Sequence, residues 1–216
     1  MKPEGDIFSM KKFGSEQEEF WAGQFGNTYI SRNLSDELLA SNVNLFSKIF
    51  SSMEKIPETF LEIGANIGMN VKAISQLNPG ADFTGIEINK MACIELRKTG
   101  CKVIENSILD SKLEDKFDFV FSKGVLIHLN PNQLESVYEK MYRWSGRYIM
   151  VAEYYNPTPV AVPYRGNSDK LFKRDFAGEI MDLFSDLVLR DCGFAYHRGI
   201  FPQDDINWFL LEKRNR

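Results

Sequence analysis

Apolar residues recur at three- and four-residue steps along SDELLASNVNLFSKIFSSM (35–53), where Leu39, Val43, Phe46, Phe50 and Met53 build one stripe. That period predicts an amphipathic helix, and Ser35 ahead of Asp36 and Glu37 is a suitable N-cap. From residue 59 the pattern changes. TFLEIG (59–64), DFTGIEI (82–88), KVIENSI (102–108), FDFVFSKG (117–124) and RYIMVAEY (147–154) are short apolar runs that read as strands. NVKAISQL (70–77), NKMACIELRKTG (89–100) and NPNQLESVYEKMYRWS (130–145) read as the helices between them, and Leu134, Val137, Tyr138 and Met141 share one face of the last. DFAGEIMDLFS (175–185) is a further helix, and the strand-like segments DCGFAYHRGIF and INWFLLEK follow it. Strands that alternate with helices and are apolar on both faces predict an α/β fold with a doubly wound, mostly parallel seven-stranded sheet. The last two strands have no helix between them, so they must pair as a C-terminal antiparallel hairpin. Residues 15–34 mix aromatic and polar side chains and read as short helices or an ordered arm. The expected organisation is one domain over residues 1–216, with an N-terminal helical arm or cap at 1–56 and a core at 57–216.

Composition narrows the partners. The 216 residues carry 26 basic and 30 acidic side chains, a formal charge of −4, which argues against a surface that tracks nucleic-acid phosphates. No apolar run approaches the roughly 20 residues of a membrane span, and MKPEGDIFSMKKFG lacks the apolar stretch of a secretory signal. Cys93, Cys101 and Cys192 show no CxxC spacing, which disfavours a disulfide framework and fits a reducing cytoplasm. With only His128 and His197 and no HExxH, no transition-metal site is expected.

Open α/β sheets bind ligands at the carboxyl ends of their strands. The first strand ends in Glu62-Ile63-Gly64-Ala65-Asn66-Ile67-Gly68. Gly64 can make the tight turn, Gly68 can let the loop approach a ligand, and Asn66 tolerates left-handed backbone better than most residues. An ordinary strand-to-helix turn would also carry glycine. The second strand supplies Glu87, 23 positions after Gly64, where a carboxylate can accept both hydroxyls of a ribose. A dinucleotide GxGxxG fingerprint starting at Gly64 would need Gly at 66 and 69, which are Asn66 and Met69, and no P-loop GK[ST] is present. Both absences point away from NAD and ATP and leave S-adenosylmethionine, which has a ribose but no phosphate.

The strings EIGANIG, GIEIN, NSILD and FDFVFSKGVLIHL resemble, in order and spacing, those of class I S-adenosylmethionine-dependent methyltransferases over residues 57–216. EEFWAGQFGNTYISRN and YYNPTPVAVPYRG further resemble the methylases associated with pseudaminic acid biosynthesis, which implies a nonulosonic acid or related nucleotide sugar as acceptor. The resemblance implies the Rossmann-like methyltransferase fold and S-adenosylmethionine as cofactor. It places Gly64, Asn66 and Gly68 by the methionine and ribose, Glu87 on the ribose hydroxyls, Ile88 beside the adenine, and Ser107 and Ile108 at the adenine edge. Lys123 would lie by the methionine end or the acceptor. Asn66 stands where a second glycine is commoner, and Ser107 where an Asp is.

Methyl transfer needs alignment and, for a hydroxyl acceptor, removal of a proton. His128, in the loop after the fourth strand, is a candidate base, with a structural or acceptor-positioning role as the alternative. Glu153, at the end of the fifth strand, is a second candidate base or anchor, unless it sits in a satisfied ion pair. His197 reads as structural. In the arm, Tyr29 and Arg32 can fold over the cofactor, Arg32 meeting the methionine carboxylate or remaining at the surface. The segment 154–174 has Pro157, Pro159 and Pro163 and reads as a lid. Its Tyr154, Tyr155, Tyr164 and Arg165 are candidate substrate contacts. Arg165, Lys170, Lys173 and Arg174 make it locally basic, which suits a small anionic acceptor or a solvated surface. Other acceptors, peptide-borne or amino-acid groups among them, and a non-catalytic binding protein are the alternatives.

Overall fold

The computed structural model describes residues 13–30 and 35–214. One seven-stranded sheet has the order β3-β2-β1-β4-β5-β9-β8. Its strands are β1 Thr59–Ile63, β2 Asp82–Glu87, β3 Lys102–Glu105, β4 Phe117–Lys123, β5 Ser145–Glu153, β8 Leu187–Ala195 and β9 Ile206–Lys213. β1 to β5 are parallel to one another, and β9 inserts antiparallel between β5 and β8. The predicted doubly wound sheet with a terminal hairpin is therefore the observed one. The order reverses between β1 and β4, so the crevice above their carboxyl ends is the switch point at which such sheets take ligands.

Both faces of the sheet are buried, and the period of two along each strand divides the side chains between two cores. Leu61, Ile63, Val120, Ile149 and Val151 pack against α6 (Leu134–Trp144) and α7 (Phe176–Leu183). Phe60, Phe119, Phe121, Tyr148 and Met150 pack against α3 (Asp36–Ser51) and α4 (Met69–Leu77). The stripe predicted on α3 is real, and Ser35 caps it by accepting the Leu38 N–H. α5 (Lys90–Arg97) lies against β2 and β3, capped by Asn89, and the predicted stop at Gly100 has φ +85°.

Several features differ from the sequence reading. β3 ends at Glu105 rather than 108, because Ser107 closes a turn in which its oxygens accept from the N–H groups of Leu109 and Ser111. β8 begins earlier, at Leu187, and residues 196–205 are a loop rather than strand. The lid is not wholly irregular: β6 (Val160–Ala161) and β7 (Phe172–Lys173) pair as a short antiparallel ribbon. The arm contains α1 (Glu16–Ala22) and α2 (Gln24–Ile30). Among the described residues, no helix is long and apolar enough to cross a membrane.

Candidate functional site

A cavity of about 660 Å³ opens at the carboxyl ends of β1, β2 and β4. Its floor is the turn after β1, where Gly64, Asn66 and Gly68 take φ of +68°, +47° and +79°. A Cβ on Gly64 would come within 2.6 Å of Val125, in the turn after β4, so only glycine fits between the two turns. Gly68 departs from its expected role. It does not line the cavity, and its bare Cα makes room for Leu96 and Thr99 of the α5 segment, 2.9 Å from where a Cβ would be.

Glu87 joins the turns. Its Oε2 accepts the N–H of Asn66 and its Oε1 the N–H of Asn89, each at 2.7 Å. Burial pushes its carboxyl above the ordinary range, while the N–H groups of Asn89 and Asn66 pull it back. The remaining lone pairs of this carboxylate face a cavity that Ile88 and Ile108 line with apolar surface. Asn89 carries the arrangement outward: its Nδ2 donates to the Trp21 carbonyl at 3.2 Å and to Asn27 Oδ1 at 2.9 Å, holding the arm over the β2 end. Tyr29 lines the cavity from that arm, whereas Arg32 lies outside the described residues.

Polar atoms without partners concentrate here. Among the described residues, six buried side-chain atoms lack a hydrogen bond: Trp21 Nε1, Ser41 Oγ, Glu62 Oε2, Asn66 Oδ1, Asn70 Oδ1 and Tyr148 OH. All but Tyr148 belong to cavity-lining residues. Such an atom costs about 1–3 kcal/mol when left unmatched, so a polar ligand is the natural complement of this space. Glu62 is 2% exposed, its Oε1 accepts from Asn70 Nδ2, and burial pushes its carboxyl up to about 8. Sequence reasoning passed over it as part of an apolar strand. The available signal was an acid inside TFLEIG, where a buried strand has no other use for a charge. Ser41, Asn42, Gln203 and Asp204, which line the far wall, were missed as well.

On the β4–β5 side, His128 lines the cavity between the rings of Trp21 and Tyr164, whose centroids lie 4.6 and 5.1 Å from its own. Its Nδ1 is 2.6 Å from the Lys170 carbonyl oxygen. A carbonyl only accepts, so Nδ1 carries the proton and Nε2 keeps a lone pair. Burial pushes this imidazole down to about 4, which keeps it neutral at physiological pH.

The structure revises four further expectations. Glu153 does not line the cavity. It is 2% exposed, and it accepts from Ser122 Oγ at 2.7 Å and from the N–H groups of Val125 and Leu126 at 3.1 Å, so it clamps the turn that carries His128. Ser107 lines the cavity, but its hydroxyl is committed, donating to Glu18 of the arm and accepting from Leu109 N–H. Tyr155 turns away and packs on Phe209 at 5.8 Å, while Tyr154, Tyr164 and Arg165 do reach the cavity. The lid's basic excess is largely spent inside the protein. Lys170 pairs with Asp169 and Glu16, Arg174 with Glu179, and Lys173 lies over the Tyr154 ring. His197, expected to be structural, holds Asp205 at 2.8 Å at the rim. Arm and lid also meet: Gln17 donates to the Asp169 carbonyl and Phe25 approaches Tyr164, so together they roof the cavity.

Residues 61–145 match the family described as a methyltransferase domain. No curated protein matches the chain by sequence. Solved structures do match its fold. A plantazolicin methyltransferase in complex with S-adenosylhomocysteine (SAH) aligns with a TM-score of 0.64 at 15% identity, over 92% of this chain and 94% of that one. The magnesium protoporphyrin IX methyltransferase from Synechocystis PCC 6803 with bound S-adenosylmethionine aligns with a TM-score of 0.69 at 10% identity, over 93% and 99%. A mitomycin 7-O-methyltransferase aligns with a TM-score of 0.67 at 13% identity, over 93% of this chain and 61% of that one. The segment that matches the methyltransferase domain thus lies at the centre of a fold that this chain shares with solved methyltransferases holding S-adenosylmethionine or SAH.

Proposed function

We propose that this domain methylates a hydroxyl of a small carboxylated sugar of the nonulosonic type, free or nucleotide-activated, in the cytoplasm. The chain would act as one unit, with the arm of residues 1–56 and the lid of 154–174 covering a core of 57–216. The observation that carries the reading is the set of unmatched polar atoms of Trp21, Ser41, Glu62, Asn66 and Asn70 around one cavity.

S-adenosylmethionine supplies an activated methyl group on a sulfonium. Glu87 fits the ribose hydroxyls, and Ile88 and Ile108 give the adenine apolar surface. The free oxygens of Asn66 and Asn70 are acceptors, and that of Glu62 becomes one when its carboxyl ionises, which suits the ammonium of the methionine portion. Gly64 lets the main chain come close to the ligand. At the acceptor end, His128 offers neutral Nε2 to the reacting hydroxyl, orients it and takes its proton as the bond to the methyl forms. Tyr154 and Tyr164 offer ring faces to a sugar, and Arg165 a cation. The resemblance of the arm and lid strings to pseudaminic-acid-associated methylases supports the sugar acid, as do the cavity cations Lys123 and Arg165.

Calorimetry with S-adenosylmethionine and SAH tests the cofactor site. Both should bind, and Glu87→Ala should weaken both by about tenfold or more, the loss of a charge-assisted contact. His128→Asn should lower turnover of a nonulosonic acid while leaving SAH affinity unchanged. Wild-type affinity in Glu87→Ala would remove that residue from the site, and wild-type turnover in His128→Asn would leave the histidine structural.

A further inference from the structure

Lys170, Lys173 and Arg174 of the lid are engaged within the protein, yet the cavity has another polar side, beyond β1 from β2. The side chain of Lys123, at the end of β4, makes no hydrogen bond or ion pair among the described residues, although the residue lines the cavity. Asp204, in the loop between β8 and β9, is the carboxylate that acts on it most strongly, and no ion pair closes between them. Burial lowers the lysine from its ordinary range while Asp204 and Glu62 act to raise it, and its amine, at the cavity, has no partner of its own among the described residues. Ser41 of α3, which lines the same cavity, is 1% exposed with its Oγ unpartnered. Asn42, the next residue of α3, accepts from Gln203 Nε2 at 2.9 Å. That bond between two buried side chains fixes α3 to the β8–β9 loop, so the wall is built rather than accidental.

We infer that Ser41, Lys123 and Asp204 form the acceptor-recognition wall, and that it takes a carboxylic acid bearing hydroxyl or amino donors. The inference rests on the methyltransferase reading of the cavity. The acid's carboxylate meets Lys123, a donor of the same molecule meets Asp204, and Ser41 completes the contact. An open Lys–Asp pair discriminates in both directions. A neutral sugar leaves the lysine unmatched, and an acid without donors meets the repulsion of Asp204. The sheet order separates this wall from the cofactor. Glu87, at the ribose end of the cofactor site, ends β2, whereas Lys123 ends β4 and Asp204 precedes β9, on the other side of β1, with Glu62 of β1 between the two.

The test titrates the protein, with and without SAH, using N-acetylneuraminate, N-acetylglucosamine and cyclohexanecarboxylate at millimolar concentration, read by ligand-observed NMR and calorimetry. The hydroxy acid should bind and the other two should not. Lys123→Met should weaken the acid by about tenfold or more and Asp204→Asn by a few-fold, with SAH affinity unchanged in both. Equal binding of the neutral sugar, no binding of the hydroxy acid, or loss of SAH affinity in Lys123→Met would overturn the wall. Failure of SAH to bind the wild type would overturn the methyltransferase reading instead. Acid binding that disappears in Lys123→Met would still uphold the wall in that case.

Discussion

Glu62 shows how far one side chain's chemistry depends on where its strand ends. Its carboxyl is buried beneath the turn after β1 and pushed up to about 8, so in the free protein it holds a proton at pH 7. An ammonium placed against Oε2 would ionise it. The free protein then binds a proton below pH 8 that the complex does not, so binding releases protons and affinity rises with pH towards 8. Calorimetry of SAH at pH 7, in buffers of different ionisation heat, should show about one proton released per ligand bound, and Glu62→Gln should abolish the release. A binding heat independent of buffer would place the ammonium elsewhere. Glu87 was legible from its spacing after Gly64, because the distance from turn to next strand end is set by one helix. Glu62 was not, because the strand pattern hid it and only burial exposes its cost.

Between elements, the turn after β4 depends on the end of β5. Glu153 reads in the sequence as a possible base, since strand-end carboxylates reach ligand sites. Packed against Ser122 and the N–H groups of residues 125–127, it serves instead as the acceptor of that turn. Burial pushes it up to about 7. Glu153→Gln puts an amide donor against those N–H groups and should cost about 2–4 kcal/mol in urea unfolding, with turnover falling because His128 is displaced. Wild-type stability would show that the turn holds itself. The same dependence explains the lid: three prolines marked it as irregular, but the pairing of β6 with β7 and the ion pair of Lys170 with Glu16 of the arm join residues that are apart in the chain.

At the scale of the molecule, arm, lid and sheet converge on one cavity, and occupancy should stabilise all of them together. SAH at 100 times its dissociation constant adds about 2.7 kcal/mol, which for a chain of this size raises Tm by about 5–10 °C in a thermal-shift series. No shift at saturating SAH would mean that the cavity does not hold it. The amino-acid sequence by itself determined the sheet, its hairpin, the Gly64 turn and the Glu87 carboxylate, because alternating periods and short spacings are local quantities that neighbouring residues fix. Only the tertiary structure decided that Gly68 packs on α5, that Glu153 and Ser107 are already hydrogen-bonded, and that Ser41, Lys123 and Asp204 line one cavity. Those facts join residues from separate elements, and whether a polar atom is spent or free is settled by partners that the spacing along the chain does not name.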